Sequence, residues 1–109
     1  MGRYGAVTIG STIERMKREI RSSITEIQGL REVYGFGSFF RGEKFNDIDI
    51  LGVAENNPKI LVSCYYQLRN CLRPVEIAYR VEIDLTLLML SEFLAEPLRD
   101  MRDIVLIKR

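Results

Sequence analysis

The chain has no histidine, and only two cysteines occur among its 109 residues. Without histidine, a Ser-His-Asp triad, a Cys-His pair, a histidine general base and histidine-ligated zinc are all excluded. Oxygen ligands, above all carboxylates, therefore remain as the groups available for metal binding or base chemistry.

The sequence also lacks a large charge imbalance and any long apolar run. Sixteen Lys and Arg residues nearly cancel fifteen Asp and Glu residues, so the net charge of +1 gives no global argument for nucleic-acid binding. No apolar run approaches the roughly twenty residues that span a membrane, and the N-terminus lacks the apolar core of a signal peptide. With 47% hydrophobic residues, the composition predicts one globular domain over residues 1–109, and we expect a cytoplasmic protein without a membrane partner.

The two cysteines, Cys64 and Cys71, lie seven residues apart in a segment with helical periodicity. Such residues share one helix face about two turns apart, which is too far for an unstrained disulfide. We therefore expect two buried free thiols.

A first helix is predicted over residues 12–28, where apolar residues recur at spacings of three and four. The letters "STIE" at residues 11–14 match a capping box, Gly29 is expected to cap the C-terminus, and the first ten residues are expected to form a loose leader. The opposite face of this helix is charged, and we expect it to be either exposed to solvent or a binding surface for phosphate or a partner. Its charged residues are Arg15, Lys17, Arg18, Glu19 and Arg21.

The remainder of the chain predicts four strands and two further helices. The strands are expected at "LREVYGF" (30–36, ending at Gly37-Ser38), at Asp47 to Val53, at about 79–89 and at the terminal "DIVLIKR" (103–109). The second helix is expected from Pro58 to about residue 72, where Arg73-Pro74 would end it, and a short third helix near 92–102. This order predicts an α+β fold, an α/β two-layer arrangement in which a small mixed sheet carries helices on one face.

Two aspartates on the second predicted strand suggest a metal site. Asp47 and Asp49 are two residues apart, so their side chains leave the same face of the strand close together. Two carboxylates so placed repel each other unless a cation neutralises them. Oxygen ligands without histidine or cysteine suit Mg²⁺ or Mn²⁺, and magnesium prefers to share its ligands with substrate phosphates.

The Gly37-Ser38 pair offers a place for such a phosphate. A glycine lets the backbone approach a ligand closely, and a turn from a strand into a helix directs N–H groups at an anion. Each element is weak by itself, because Gly-Ser is also ordinary turn chemistry. The order of the pair and the two aspartates along one strand-turn-strand unit is the informative feature.

A third acid, Asp84, interrupts the apolar strand "VEIDLTLL". An unpaired buried carboxylate would be costly there, so Asp84 is expected to bind metal or act as a base; otherwise it pairs with an arginine or lies on an open face. Glu82 projects to the same side of the strand and competes for this role.

Taken together, "GSFFRGEKFNDIDILGV" and "VEIDLTLL" resemble the polymerase-beta-type nucleotidyltransferase superfamily. Members of that superfamily share a Gly-Ser turn, an Arg-Gly, an Asp-x-Asp and a later third acid. The likeness covers residues 31 to 107, and its size is similar to the minimal single-domain nucleotidyltransferases that are often encoded beside HEPN-domain proteins as toxin-antitoxin pairs.

This resemblance implies roles for six residues. Asp47, Asp49 and Asp84 would bind two divalent metals, Mg²⁺ or Mn²⁺, and carry catalysis. Gly37 and Ser38 would bind the β and γ phosphates of a nucleotide, with ATP as the expected substrate. Arg41 would either contact phosphate or brace the turn; its position is the least certain of the six, since only eight residues separate Ser38 from Asp47.

The resemblance also implies a reaction and a partner. We expect transfer of a nucleoside monophosphate, AMP from ATP, to a hydroxyl on a protein partner, since no segment remains for an acceptor domain. The expected partner is a helical HEPN-type protein or a second copy of the chain, and the near-neutral charge disfavours long nucleic acid. The alternatives are an antitoxin that only binds its partner, and a small-molecule nucleotidyltransferase of the antibiotic-modifying kind.

Overall fold

The computed structural model describes residues 5–95 and 103–109. In this part of the chain, helices and strands follow in the order α1, β1, α2, β2, α3, β3, α4 and β4. Their bounds are α1 Gly5–Ser23, β1 Leu30–Phe36, α2 Gly37–Phe40, β2 Asp47–Ala54, α3 Pro58–Tyr79, β3 Glu82–Met89, α4 Leu90–Leu94 and β4 Val105–Lys108.

The four strands form one mixed sheet with the order β3-β2-β1-β4. Strand β1 runs antiparallel to both β2 and β4, whereas β2 and β3 are parallel and are joined through α3. A parallel pair needs such a crossover, because a tight turn can join only antiparallel strands. β3 is therefore one edge of the sheet.

The main core lies between the sheet and the two long helices. Ile20 of α1, Leu68 of α3 and Ile50 of β2 are completely buried in one apolar cluster. Burial of each such side chain contributes about 1.5–3 kcal/mol. The predicted α+β architecture, a small mixed sheet with helices packed on one face, is confirmed.

The first helix begins earlier and ends earlier than predicted. α1 begins at Gly5 in the described part of the chain, so Ser11 lies inside the helix and the predicted capping box is wrong. The predicted loose leader is wrong for residues 5–10, which are helical, and its residues 1–4 lie outside the described residues. The helix ends at Ser23, whose hydroxyl donates to the carbonyl of Ile20 at 2.8 Å. Ile24 and Ile27 nevertheless remain buried, because the irregular segment after the helix packs against the same core. Gly29 therefore lies in a turn with a φ of 88° and does not cap the helix.

The third helix passes through Pro74, where the sequence predicted its end. A proline inside a helix removes one backbone hydrogen bond, at a cost of about 3 kcal/mol. Leu72 and Val75 are buried on either side of Pro74, and their packing holds the helix together through the proline. The helix continues to Tyr79 and ends at Arg80, which adopts the left-handed conformation, so β3 begins at Glu82 and not at residue 79.

The last two elements of the chain are a helix and a strand, as the sequence predicted. The terminal strand is confirmed at Val105–Lys108. The predicted helix near 92–102 corresponds to α4, Leu90–Leu94, and the rest of the predicted range, from residue 96 onwards, lies outside the described residues.

The two cysteines form no disulfide, as expected. Cys64 is buried, with its Sγ 3.4 Å from the carbonyl oxygen of Gln28, and burial raises the pKa of its thiol. Cys71 is only partly buried, so the expectation of a buried thiol holds for Cys64 alone. Among the described residues no helix is both long and apolar enough to cross a membrane.

The N-terminus of α3 offers a test of the fold. The side chain of Asn57 accepts hydrogen bonds from the amides of Lys59 and Ile60, at 2.9 and 3.4 Å. We expect Asn57→Ala to lower the free energy of unfolding by about 1 kcal/mol, because these amides lose their acceptor. Urea denaturation measures this, with Asn70→Ala at an exposed site within the same helix as the control. Equal stability of the two variants would contradict the capping role.

Candidate functional site

The two aspartates of β2 lie on the face of the sheet opposite the long helices. Ile48 and Ile50 are completely buried in the core that α1 and α3 cover. Because side chains alternate along a strand, Asp47 and Asp49 point to the other face. Asp47 is exposed and Asp49 is partly buried, so both acids stand where a ligand can reach them.

The parallel pairing of β2 and β3 brings the third acid to the same place. Asp49 lies directly beside Asp84, and Asp47 lies directly beside Glu82. The carboxyl groups of Asp47 and Asp84 share a hydrogen bond. The pKa of Asp47 is raised, first by desolvation and then by the negative charge of Asp84 and this hydrogen bond. Strand register therefore places the three predicted acids and Glu82 at neighbouring positions of β2 and β3.

The Gly37-Ser38 turn lies against the same cluster. β1 pairs with β2 so that Phe36 faces Asp49, and the short helix α2 begins at the next residue, Gly37. Gly37 has a φ of 80°, and a Cβ at this position would collide with Oδ2 of Asp49. Only glycine therefore allows the turn to approach the carboxylate this closely.

Aromatic packing and backbone hydrogen bonds hold this turn in place. Phe39 is buried, and its ring makes edge contacts with Phe40 and Phe45 at centroid distances of 5.0 and 4.8 Å. The carbonyl of Ser38 accepts from the amide of Glu43 at 2.9 Å. The residue at the N-terminal cap of α2 is Phe36, and its side chain makes no capping hydrogen bond to the first N–H groups of this helix.

The side chain of Arg41 contacts its own turn. Its Nε donates to Oε1 of Glu43 at 3.1 Å, an ion pair in which both side chains are partly exposed. This geometry matches the bracing role. The phosphate-binding role of Arg41 stays a prediction.

A clamp from α3 to β3 is a part of the site that the sequence analysis missed. Arg69 donates to the carbonyl of Ile83 at 2.6 Å and pairs with Glu76 at 3.3 Å, while Glu76 accepts from the amide of Ile83 at 2.9 Å. Both backbone groups of the residue before Asp84 are thus fixed by one ion pair. The only sequence signal is the spacing of seven between Arg69 and Glu76, which places them on one helix face.

The acids offer only oxygen ligands, which suits Mg²⁺ or Mn²⁺. Within residues 5–95 and 103–109, however, no three His, Cys, Asp or Glu side chains are arranged closely enough to hold an ion as they stand. The negative charge of Asp84 contributes to the raised pKa of Asp47, and a cation bound between these carboxylates would offset that repulsion. The donor set fits a divalent metal, and the roles of Asp47, Asp49 and Asp84 as its ligands stay predictions.

Comparison with known proteins gives likeness in structure only. No protein-family model and no curated protein sequence matches the chain. A solved structure from Sulfolobus solfataricus, described as a "putative nucleotidyltransferase", is similar with a TM-score of 0.59 and 25% identity, over 88% of this chain and 82% of that one.

Two toxin-antitoxin structures are more distant. A mutant of the MntA-HpeT pair is similar with a TM-score of 0.46 and 16% identity, over 87% of this chain and 71% of that one. A complex of tri-AMPylated Shewanella oneidensis HEPN toxin with MNT antitoxin gives a TM-score of 0.41 and 17% identity, over 87% and 67%. Neither likeness is close enough to support an argument about this chain. The Sulfolobus structure supports the conclusion that the resemblance predicted: the chain has the fold of a minimal nucleotidyltransferase.

Proposed function

We propose that this protein is a metal-dependent nucleotidyltransferase that transfers a nucleoside monophosphate, AMP from ATP, to a hydroxyl group. The observation that carries the proposal is the convergence of two separate elements. The acids of β2 and β3 share one open face, and the turn at Gly37 approaches Asp49 so closely that only glycine fits. A phosphate-binding turn beside a cluster of carboxylates is what a nucleotide triphosphate with its cation requires.

In this proposal each part of the site has one task. Asp47, Asp49 and Asp84 would hold Mg²⁺ or Mn²⁺, which when bound supplies positive charge to the triphosphate. Gly37 and Ser38 would bind the terminal phosphates through backbone N–H groups and the serine hydroxyl. The acceptor oxygen loses its proton and forms a bond to the α-phosphorus. The bond from that phosphorus to its bridging oxygen breaks, and pyrophosphate leaves.

The clamp between α3 and β3 acts on this site through position alone. Arg69 and Glu76 hold both backbone groups of Ile83, and the next residue is Asp84. A fixed backbone limits the movement of Asp84 relative to the aspartates of β2. This matters for catalysis, because displacement of a reacting group by about 1 Å can cost about a hundredfold in rate.

The acceptor in this proposal is a protein hydroxyl. Such an acceptor would approach the face of the sheet on which Asp47 is exposed. The resemblance suggests a helical HEPN-type partner, and the chain would then act as the antitoxin of a pair. The apolar face of α1 is not free to dock such a partner, because Met16 and Ile20 are buried in the core.

Binding of ATP tests the two halves of the site together. We expect tight binding with Mg²⁺ and much weaker binding with EDTA, because Asp47 and Asp49 otherwise repel the triphosphate. Gly37→Ala should weaken Mg-ATP binding at least about tenfold, since the new Cβ displaces Asp49. Gly42→Ala is a matched control, because Gly42 also has a positive φ but faces open space. Calorimetry that gives equal ATP affinity with and without the cation would rule out the metal site.

The role of Asp84 is tested by replacing its carboxylate with an uncharged amide. Asp84→Asn should abolish transfer and keep most nucleotide affinity, because Asp84 is expected to bind the metal that activates the acceptor hydroxyl and not to bind the nucleotide itself. Glu82→Gln, on the same strand face two residues away, should retain transfer. The reverse result, with an inactive Glu82→Gln and an active Asp84→Asn, would assign the role to Glu82.

Transfer to a protein is tested by intact mass. The chain is mixed with the product of the neighbouring gene, ATP and Mg²⁺, and both proteins are weighed by mass spectrometry. We expect AMP-sized increments on the partner that disappear with Asp47→Asn. Association without any gain in mass would favour the binding-only antitoxin. Neither association nor reaction would exclude the toxin-antitoxin relationship.

A further inference from the structure

The edge strand β3 leaves a row of backbone groups without a strand partner among the described residues. Only β2 pairs with β3, and the pairing runs without a bulge from Glu82 to Met89. Proteins commonly protect such an edge with lysine, proline, a bulge or a very short strand. The second half of β3, "LTLLM" at residues 85–89, has none of these features.

An apolar patch on α3 lies next to this edge. It consists of Val62, Tyr65 and Tyr66, which are 55%, 36% and 64% exposed. Together with Leu61 of α3 and Leu87 of β3, these side chains line one surface depression. The two tyrosine rings meet edge to face at 5.5 Å. Exposed apolar side chains scattered singly need no explanation, but an aromatic group of this kind next to an open strand edge indicates an interface.

The apolar patch of α3 lies beside the second half of β3. Arg69 contacts the carbonyl of Ile83, whereas Leu61 and Tyr65 lie beside Leu87. α3 and β3 therefore run in opposite directions, and the patch stands next to the uncharged second half of the strand.

We propose that β3 pairs antiparallel with β3 of a second copy of this chain, around a two-fold axis near Thr86 and Leu87. The two sheets then form one continuous sheet of eight strands. A two-fold axis perpendicular to a sheet keeps both sets of helices on the same face. The α3 patch of one copy therefore meets the same patch of the other, and a single symmetry operation covers both the open edge and the exposed tyrosines.

The charge distribution along β3 favours this arrangement. Glu82 and Asp84 occupy one end of the strand, and the other end is uncharged. Antiparallel pairing sets the acids of each copy opposite the uncharged end of its partner, so like charges do not face each other across the ladder. A parallel arrangement would align the acids. The side chain of Asp84 points to the open face of the sheet, so this dimer leaves the proposed catalytic site accessible and does not depend on the proposed activity.

The oligomeric state of matched variants tests the helix contact. We expect light scattering after size exclusion to give twice the chain mass at high concentration and the chain mass on dilution. Tyr66→Glu should weaken dimerisation at least about tenfold by placing two carboxylates at the axis. Ile77→Glu makes the same kind of change at a side chain that is 71% exposed on the same helix. Ile77 lies about 16 Å further along the helix axis, beyond the contact, so this variant should dimerise normally.

Hydrogen exchange tests the strand contact independently of any variant. The amides of β3 that point away from β2 should exchange quickly in dilute protein and become protected where the dimer forms. A monomer at all concentrations would overturn the proposal and leave the edge for a foreign partner. A dimer that resists Tyr66→Glu, or one whose β3 amides stay unprotected, would also overturn it.

Discussion

Burial of Ile48 and Ile50 beneath the two long helices is the constraint on which the rest of this structure depends. A strand has a side-chain period of two, so burying these isoleucines forces Asp47 and Asp49 onto the opposite face. A slip by one residue would bury two carboxylates and expose the core. The hydrophobic core therefore sets the orientation of the acids.

The carboxylates of Asp47 and Asp84 lie close enough to repel each other. Asp47 and Asp84 lie on adjacent parallel strands, and their hydrogen bond, together with desolvation, raises the pKa of Asp47. Arg69 and Glu76 bind both backbone groups of Ile83, which limits the movement of β3 away from β2. In the proposed site a bound cation would offset this repulsion.

The two halves of strand β3 differ in charge and in proposed role. The first half holds Glu82 and Asp84 on the open face, and the second half is an uncharged edge next to Tyr65 and Tyr66. Helix α3 supports both, through its clamp at one level and its apolar patch at the other. The long unbroken helix through Pro74 thus serves the site and the proposed interface at once.

The sequence by itself determined the order of the four strands and of helices α1, α3 and α4, because periods of two and near 3.6 in the apolar residues reflect burial directly. The short helix α2 was not predicted, since its four residues are too few to show a period. The sequence also predicted the common face of Asp47 and Asp49, which follows from parity alone. Only the tertiary structure decided where helices end, since packing around Pro74 and Ile24 overrode local signals. Only strand register placed Asp84 beside Asp49 and the turn at Gly37 against it, because such pairings join residues that are distant in the chain.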